Sequence, residues 1–306
     1  MSDTNTAASR GASELPLRGV SVALVGPGRV GTSLGRWLTA LGARLLRVAG
    51  RRRRGDHAGT GSVWCPLESM HSDDADVLLI AVSDPALESV ARTLAAAPQA
   101  KIVLHVSGHF DHSALAPLRS DDRRLGSWHP LRAFPGVSDH LSEAKGVTWA
   151  IDGHPEALAF ARRLTGALKG RAVEVTGEER RLYHLAASLA AGGVMTVLAA
   201  ADRLRRRAGL PDELMSSYLA LTTGALAQAQ LAPPIPETEF PAAITGPAAR
   251  GDVAMLGRQR RALEALAPEL TPLFDALNET TNDLRNVGGS RSQPPSAASL
   301  TAPDHR

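Results

Sequence analysis

The chain is poor in several things that would decide its class. It has 306 residues and a single cysteine, Cys65. A lone thiol excludes a disulfide framework and any paired-cysteine metal site. Aromatic residues make up 4% of the sequence, and its arginines are scattered rather than gathered with rings on one face. That excludes the basic, ring-bearing surface a nucleic-acid binder uses. No uninterrupted run of 18 or more apolar residues occurs, so no membrane span is expected. The N-terminus has no basic segment followed by an apolar core, so no signal peptide is expected and a cytoplasmic protein follows. Lysine is confined to Lys101, Lys145 and Lys169, and the chain has none beyond these.

What is present is ordinary in bulk and specific in detail. Hydrophobic residues make up 43% of a chain long enough for two cores. The most informative stretch is Val25-Gly26-Pro27-Gly28-Arg29-Val30-Gly31. An apolar strand runs into Gly26-x-Gly28-x-x-Gly31, and a helical pattern follows at once. A dinucleotide-binding turn needs this order. The first glycine makes the turn, the second lets the backbone approach a diphosphate, and the third lets helix and strand pack closely. The free N–H groups at the helix start then face the phosphates.

The next strand suggests which dinucleotide. An NAD site usually ends this strand with a carboxylate for the ribose 2′-hydroxyl. Here the strand ends in Ala49-Gly50, followed by Arg51 and Arg52 in a run of four arginines. Small residues leave room for a 2′-phosphate and guanidinium forks match its oxygens, so NADP is expected.

Strand patterns recur near 20–25, 44–48, 62–65, 76–82, 102–106, 125–128, 147–151 and 172–175, interleaved with helices at 28–41, to 97, and 155–168. Alternation of this kind predicts a Rossmann-type α/β fold with a doubly wound parallel sheet over 16–176. From 177 to 286 only helices are read, near 178–207, 212–231, 252–266 and 271–285. An all-α domain should therefore follow, with an apolar stripe from Leu182 through Leu189 to Leu198 that buries against the first domain or a second subunit. Residues 1–15 and 287–306 lack periodicity and are expected to be disordered tails.

Parallel sheets place ligands beyond the carboxyl ends of their strands. Those ends carry Val82-Ser83-Asp84, Ser107-Gly108 and His129-Pro130. Reduction of a C=O or C=N bond adds a hydride to carbon and a proton to the heteroatom, and an imidazole can deliver that proton. His129 and His184 are the candidate donors, Ser107 a hydrogen-bond partner for the substrate, and Arg250 a fork for its carboxylate. Val82, Ser83 and Asp84 join the cofactor side with Gly26, Pro27, Gly28, Arg29, Val30, Gly31, Arg51 and Arg52. No metal site is expected.

In order, the chain also shows His105-x-Ser107-Gly108, His129-Pro130-Leu131-x-x-Phe134, Tyr183-His184-x-Ala186-Ala187 and Ile244-Thr245-Gly246-Pro247-x-x-Arg250-Gly251-Asp252. With the glycine motif, this resembles a bacterial family of Rossmann-like oxidoreductases whose helical C-terminal half is a domain of unknown function, DUF2520. That family is similar to 6-phosphogluconate, β-hydroxyacid and prephenate dehydrogenases and to pyrroline-5-carboxylate reductases, and some members are associated with ketopantoate reduction. The resemblance implies an NADP-linked reductase of a small keto- or imino-acid, dimeric through its helical half. Two departures stand out. The family's Ser-Asn pair after Tyr-His is replaced by Ala191-Gly192, and the lysine donor common in the wider group is absent. Either His184 or Tyr183 then takes the lysine's role, or the chemistry differs, or catalysis is lost. The alternatives are a dinucleotide-binding regulator without catalysis and a prephenate-type dehydrogenase, which also uses a strand-end His-Pro.

Overall fold

A computed structural model describes residues 15–51, 61–228 and 243–286. Both expected tails and Arg52 therefore lie outside the described residues, apart from Leu15 at the edge of the first tail. The chain divides into two compact units, one ending at Gly193 and one beginning at Val194. The division falls inside the long helix rather than at the expected 176/177 turn.

The first unit is built on an eight-stranded sheet of order β3-β2-β1-β4-β5-β6-β7-β8. Its strands are β1 Ser21–Val25, β2 Arg44–Ala49, β3 Val63–Cys65, β4 Val77–Ile80, β5 Ile102–His105, β6 Arg124–Pro130, β7 Thr148–Gly153 and β8 Arg171–Glu174. All neighbours are parallel except β6 and β7. The sheet is thus largely parallel, as expected, with this one pair reversed. The link from β6 to β7 holds only a short 3-10 turn, Leu141–Ala144, and no crossover helix, so the chain returns antiparallel.

Helices α1 Arg29–Ala40, α2 Asp84–Leu94 and α3 Pro155–Ala167 cover the two faces. Strand residues alternate between two cores. Val22, Leu24, Val77 and Leu79 face Leu34 and Trp37 of α1 and Ala161 and Leu164 of α3. Ala23, Val25, Leu78 and Ile80 face Leu87, Val90 and Leu94 of α2. Buried indoles anchor the antiparallel edge. Trp128 and Trp149 stack with centroids 4.1 Å apart, and Trp128 Nε1 donates to Thr165 Oγ1 at 2.9 Å.

The loop leaving β6 is strapped to α1. Arg29 Nη1 donates to the Pro135 carbonyl (3.1 Å), Ser138 N–H donates to Ser33 Oγ (2.8 Å), and Arg36 pairs with Asp139. Arg132 sits over the rings of Trp37 and Phe134, 5.5 and 5.4 Å from their centroids. After β8, helix α4 spans Gly177–Ser188 and ends in a π-helical turn, Leu189–Gly193. The replaced pair, Ala191-Gly192, lies in that turn.

The second unit contains α5 Val194–Arg207, α6 Glu213–Gln228, a helical turn Pro247–Arg250, α7 Val253–Leu266 and α8 Thr271–Asn286. Asp252 caps α7 by accepting from Met255 N–H at 2.9 Å. Ion pairs tie its helices: Arg207 and Arg203 reach Glu269, and Arg260 reaches Asp275. Among the described hydrophobic residues of this unit, only Leu263 and Ala267 are buried. Within Gly177–Arg207 an 18-residue window reaches mean hydropathy 1.6, which by length and composition alone is enough for a membrane span.

Replacing Trp128 by Ala removes the stacked pair and its hydrogen bond. Urea unfolding should show a loss of about 3–5 kcal/mol, the cost of a large-to-small change at a buried aromatic.

Candidate active site

Two clusters occupy the carboxyl edge of the sheet. The first is the turn between β1 and α1. Gly26 has φ +91°, and a Cβ on it would lie 2.5 Å from the Ala81 carbonyl oxygen, so only glycine fits. A Cβ on Gly31 would meet the Gly26 carbonyl at 2.2 Å, which keeps α1 tight against the strand. Gly28 is different, since nothing lies within 4 Å of its Cβ position. It is the N-cap of α1, with no capping side chain and no acid in the first turn. Open space before an uncapped helix N-terminus suits a diphosphate.

A cleft of about 760 Å³ opens there. Gly26, Pro27, Gly28, Arg51, Val82 and Ser83 line it, as expected from sequence. The others on the cofactor list do different things. Arg29 turns toward the Pro135 carbonyl, Val30 packs against the core, and Asp84 faces a separate cleft of about 470 Å³ beside Phe110. One wall residue went unread: Glu68, on the 3-10 turn after β3, lines the main cleft with Gly50 and Arg51. A carboxylate is thus present, supplied by the turn after β3 rather than by the end of β2.

The second cluster joins the tips of β5 and β6 to α4. His129 Nδ1 lies 2.9 Å from the Tyr183 hydroxyl, and the rings of His129 and His184 are 5.9 Å apart, edge to face. Gly108 makes this approach possible. A Cβ there would lie 2.5 Å from His184 Cδ2 and 2.8 Å from His129 Nε2. Ser107 stands at the same tip, and its hydroxyl oxygen accepts from the N–H groups of His109 (3.2 Å) and Phe110 (3.0 Å). The structure thus brings three of the four expected catalytic residues together. The fourth, Arg250, belongs to the helical unit, where it ends a short helical turn and is exposed.

Arg180 was not expected. It is fully buried. Its Nη2 donates to the Ser107 carbonyl at 2.8 Å and its Nη1 to the Val175 carbonyl at 3.1 Å. The signal was present in the spacing, because Arg180, Tyr183 and His184 stand at i, i+3 and i+4 and share one helix face. In the single chain the apolar stripe is exposed, Leu182 to 68% and Leu185 to 55%, so it is not covered by the α/β sheet.

Protonation follows from burial. Loss of solvent, with help from the Arg180 charge, pushes His129 down to about 3. Burial likewise pushes Tyr183 up to about 12, opposed by Arg180. His105 is fully buried and pushed down to about 4. Its Nδ1 accepts from Ser107 N–H (3.1 Å) and its Nε2 lies 2.9 Å from the Asp111 carbonyl. Those two bonds fix a neutral, structural imidazole. Among the described residues, Asp111, His112 and Asp152 could together approach a cation, but His112 Nδ1 and N–H already bond Asp152 Oδ2 at 2.7 and 2.9 Å.

Residues 6–126 match the Rossmann-like domain family, and residues 147–281 match a domain of unknown function, DUF2520. The two matches follow one another along the chain, the Rossmann-like one first. No curated protein matches the sequence. Among solved structures, it is similar to a Bacteroides fragilis protein assigned as an NADP oxidoreductase, at 19% identity and TM-score 0.71, over 86% of this chain and 98% of that one. It is also similar to Plasmodium falciparum pyrroline carboxylate reductase with NADP bound (12% identity, TM-score 0.56, 88% and 99% covered). A Myxococcus stipitatus imine reductase in complex with NADP+ gives 16% identity and TM-score 0.58, with 88% and 95% covered. These likenesses establish the fold across both parts of the chain.

The depressed histidines carry a pH signature. Between about 3 and the ordinary 6.5 the unfolded chain binds a proton at His129 that the folded chain refuses. Stability is therefore full above about 6.5 and falls as pH drops toward 3. Urea unfolding across pH 7 to 4 should show this decline, and His129→Gln should flatten part of it. An unchanged slope in that variant would place the titration elsewhere.

Proposed function

We propose that this protein is an NADPH-dependent reductase of a small keto- or imino-acid. The observation that carries the reading is the His129–Tyr183 pair at the sheet edge that also bears the open glycine turn. The uncapped start of α1 and Gly28 would hold the diphosphate, with Val82 and Ser83 along the opposite wall. When bound, the dinucleotide supplies a hydride at the nicotinamide ring. Arg51 and the small Gly50 favour a 2′-phosphate, while Glu68 across the same cleft opposes it.

Hydride arrival at the substrate carbon leaves negative charge on its oxygen or nitrogen, and a proton must follow. His129 is neutral at physiological pH, so it cannot serve as an imidazolium. The Tyr183 hydroxyl instead donates to Nδ1, which leaves the proton on Nε2, on the side of Gly108 and His184. As Nε2–H passes its proton to the substrate heteroatom, Nδ1 takes the proton of Tyr183. The imidazole stays neutral throughout, and the half-buried tyrosine regains its proton from solvent. The group delivered is one hydride and one proton, which balances reduction of C=O or C=N.

The helical unit supports a homodimer. Its hydrophobic side chains are exposed in the single chain, with Leu221 73% and Leu266 66% accessible, and a second copy would cover them.

Assays of NADPH oxidation over keto- and imino-acids, ketopantoate and pyrroline-5-carboxylate included, should find a substrate. His129→Ala and Tyr183→Phe should each lower kcat on it about 10²–10⁴-fold. Gly28→Val should abolish NADPH binding in a folded protein, and Arg51→Ala should cut the preference for NADPH over NADH roughly tenfold. Normal NADPH binding by the Gly28 variant, or binding without turnover of any compound, would overturn the reading. Light scattering at micromolar concentration should give twice the 32.1 kDa chain mass.

A further inference from the structure

We propose that Arg180 is the positioning residue of the proton-delivering pair: it latches the first turns of α4 to the β5 tip, so that Tyr183 meets His129, and its charge favours the phenolate that Tyr183 becomes during turnover. This rests on the reductase reading above and adds to it a residue that never touches the substrate.

The argument begins with cost. A guanidinium sealed from water loses several kcal/mol of hydration unless charge and hydrogen bonds replace it. Arg180 is 0% exposed, yet no carboxylate among the described residues forms an ion pair with it. Two of its nitrogens go to main-chain carbonyls, of Ser107 and Val175, and Nε has no partner. An apolar side chain would fill the same space without that penalty. A charge kept there under such terms acts on its surroundings.

Those surroundings are the reacting groups. The bond to the Ser107 carbonyl spans 73 residues of sequence and joins α4 to the tip that carries Gly108. Tyr183 and His184 follow one turn later on the same face, so the latch sets their height above His129. The charged and titratable groups facing this point are few. His105 comes from β5, His129 from β6, Asp152 from β7, Arg180, Tyr183 and His184 from α4, Asp84 from the start of α2, and Asp111 from the loop after β5. His109 stacks edge-on against His184, 6.0 Å away. Asp152 is already engaged by His112 and Asp111 by Ser113, so neither carboxylate is drawn fully to the guanidinium. The positive charge of Arg180 disfavours a second cation on His129 and favours an anion on Tyr183, and both effects run in the direction the relay needs. The proton leaves Tyr183 Oη for His129 Nδ1 as Nε2 gives its own to the substrate. The electron pair left on Oη is what the guanidinium stabilises.

The test compares Arg180→Met and Arg180→Lys with the parent chain. Histidine side chains are isotopically labelled, with His129 assigned through His129→Gln. In Arg180→Met the His129 titration should move up by about one unit or more toward 6.5, as expected for loss of a nearby cation. Lysine, which keeps the charge but can serve fewer carbonyls, should restore most of that shift. On a confirmed substrate, Arg180→Met should lower kcat about tenfold or more with an unchanged KM for NADPH, and Arg180→Lys should recover part of it. The spectroscopic arm needs no turnover, so it stands apart from failure of the reductase reading. If Arg180→Met does not fold, Arg180→Lys must still give an intermediate kcat and a His129 titration near the parent's. A folded variant with an unmoved His129 titration, or a kcat within twofold of the parent, overturns the proposal.

Discussion

Everything described at the sheet edge depends on one reversal of strand order. β1 has β2 on one side and β4 on the other. The connections leaving β1 and β4 must therefore cross opposite faces, and α1 and α2 pack into separate cores. Between their starts the edge is left open, and no main chain fills it. The 760 Å³ cleft is that gap. The glycines at its lip are consequences of how closely β1, β4 and α1 must approach to leave it.

The same edge carries the second cluster, but by a different economy of charge. The interior near β5 and β6 holds imidazoles in neutral form, a phenol and one guanidinium. His105 is locked by a main-chain donor and acceptor, so its neutrality serves the backbone. His129 is neutral with one nitrogen engaged by Tyr183 and the other facing the Gly108 gap. The two histidines, on neighbouring strands, thus meet different partners at their ring nitrogens.

Much of this was legible in the sequence. The glycine turn, the β-α alternation and the polar residues at strand ends are local signals, and local signals survive into the fold. Ser107 and His129 converge because parallel strands end on one side, and α4 brings His184 to them. What escaped reading was non-local. Glu68 reaches the cleft from a turn after a three-residue strand, and the second-strand rule looks only at the end of β2. The antiparallel β7 is invisible to hydrophobic pattern, which is the same in either direction; the lack of a crossover helix before it was the only clue. Arg180 was obscured because apolar periodicity pointed to Leu182, Leu185 and Leu189 as the packed face, whereas the face held by the α/β unit carries the arginine, the tyrosine and the histidine. A stripe of leucines identifies a face that will be covered, but not by what.

The strap between α1 and the loop after His129-Pro130 has a thermodynamic corollary. Arg29 and Ser33 occupy the first turns of the helix whose N-terminus faces the diphosphate position, and they hold Pro135 and Ser138. Any ordering of that helix start is shared with the segment that follows His129. Free-energy coupling of this kind runs equally in both directions. Whatever one end of this strap gains when the other is held, the other gains in return, so the helix start and the loop after His129 respond to a ligand as one body.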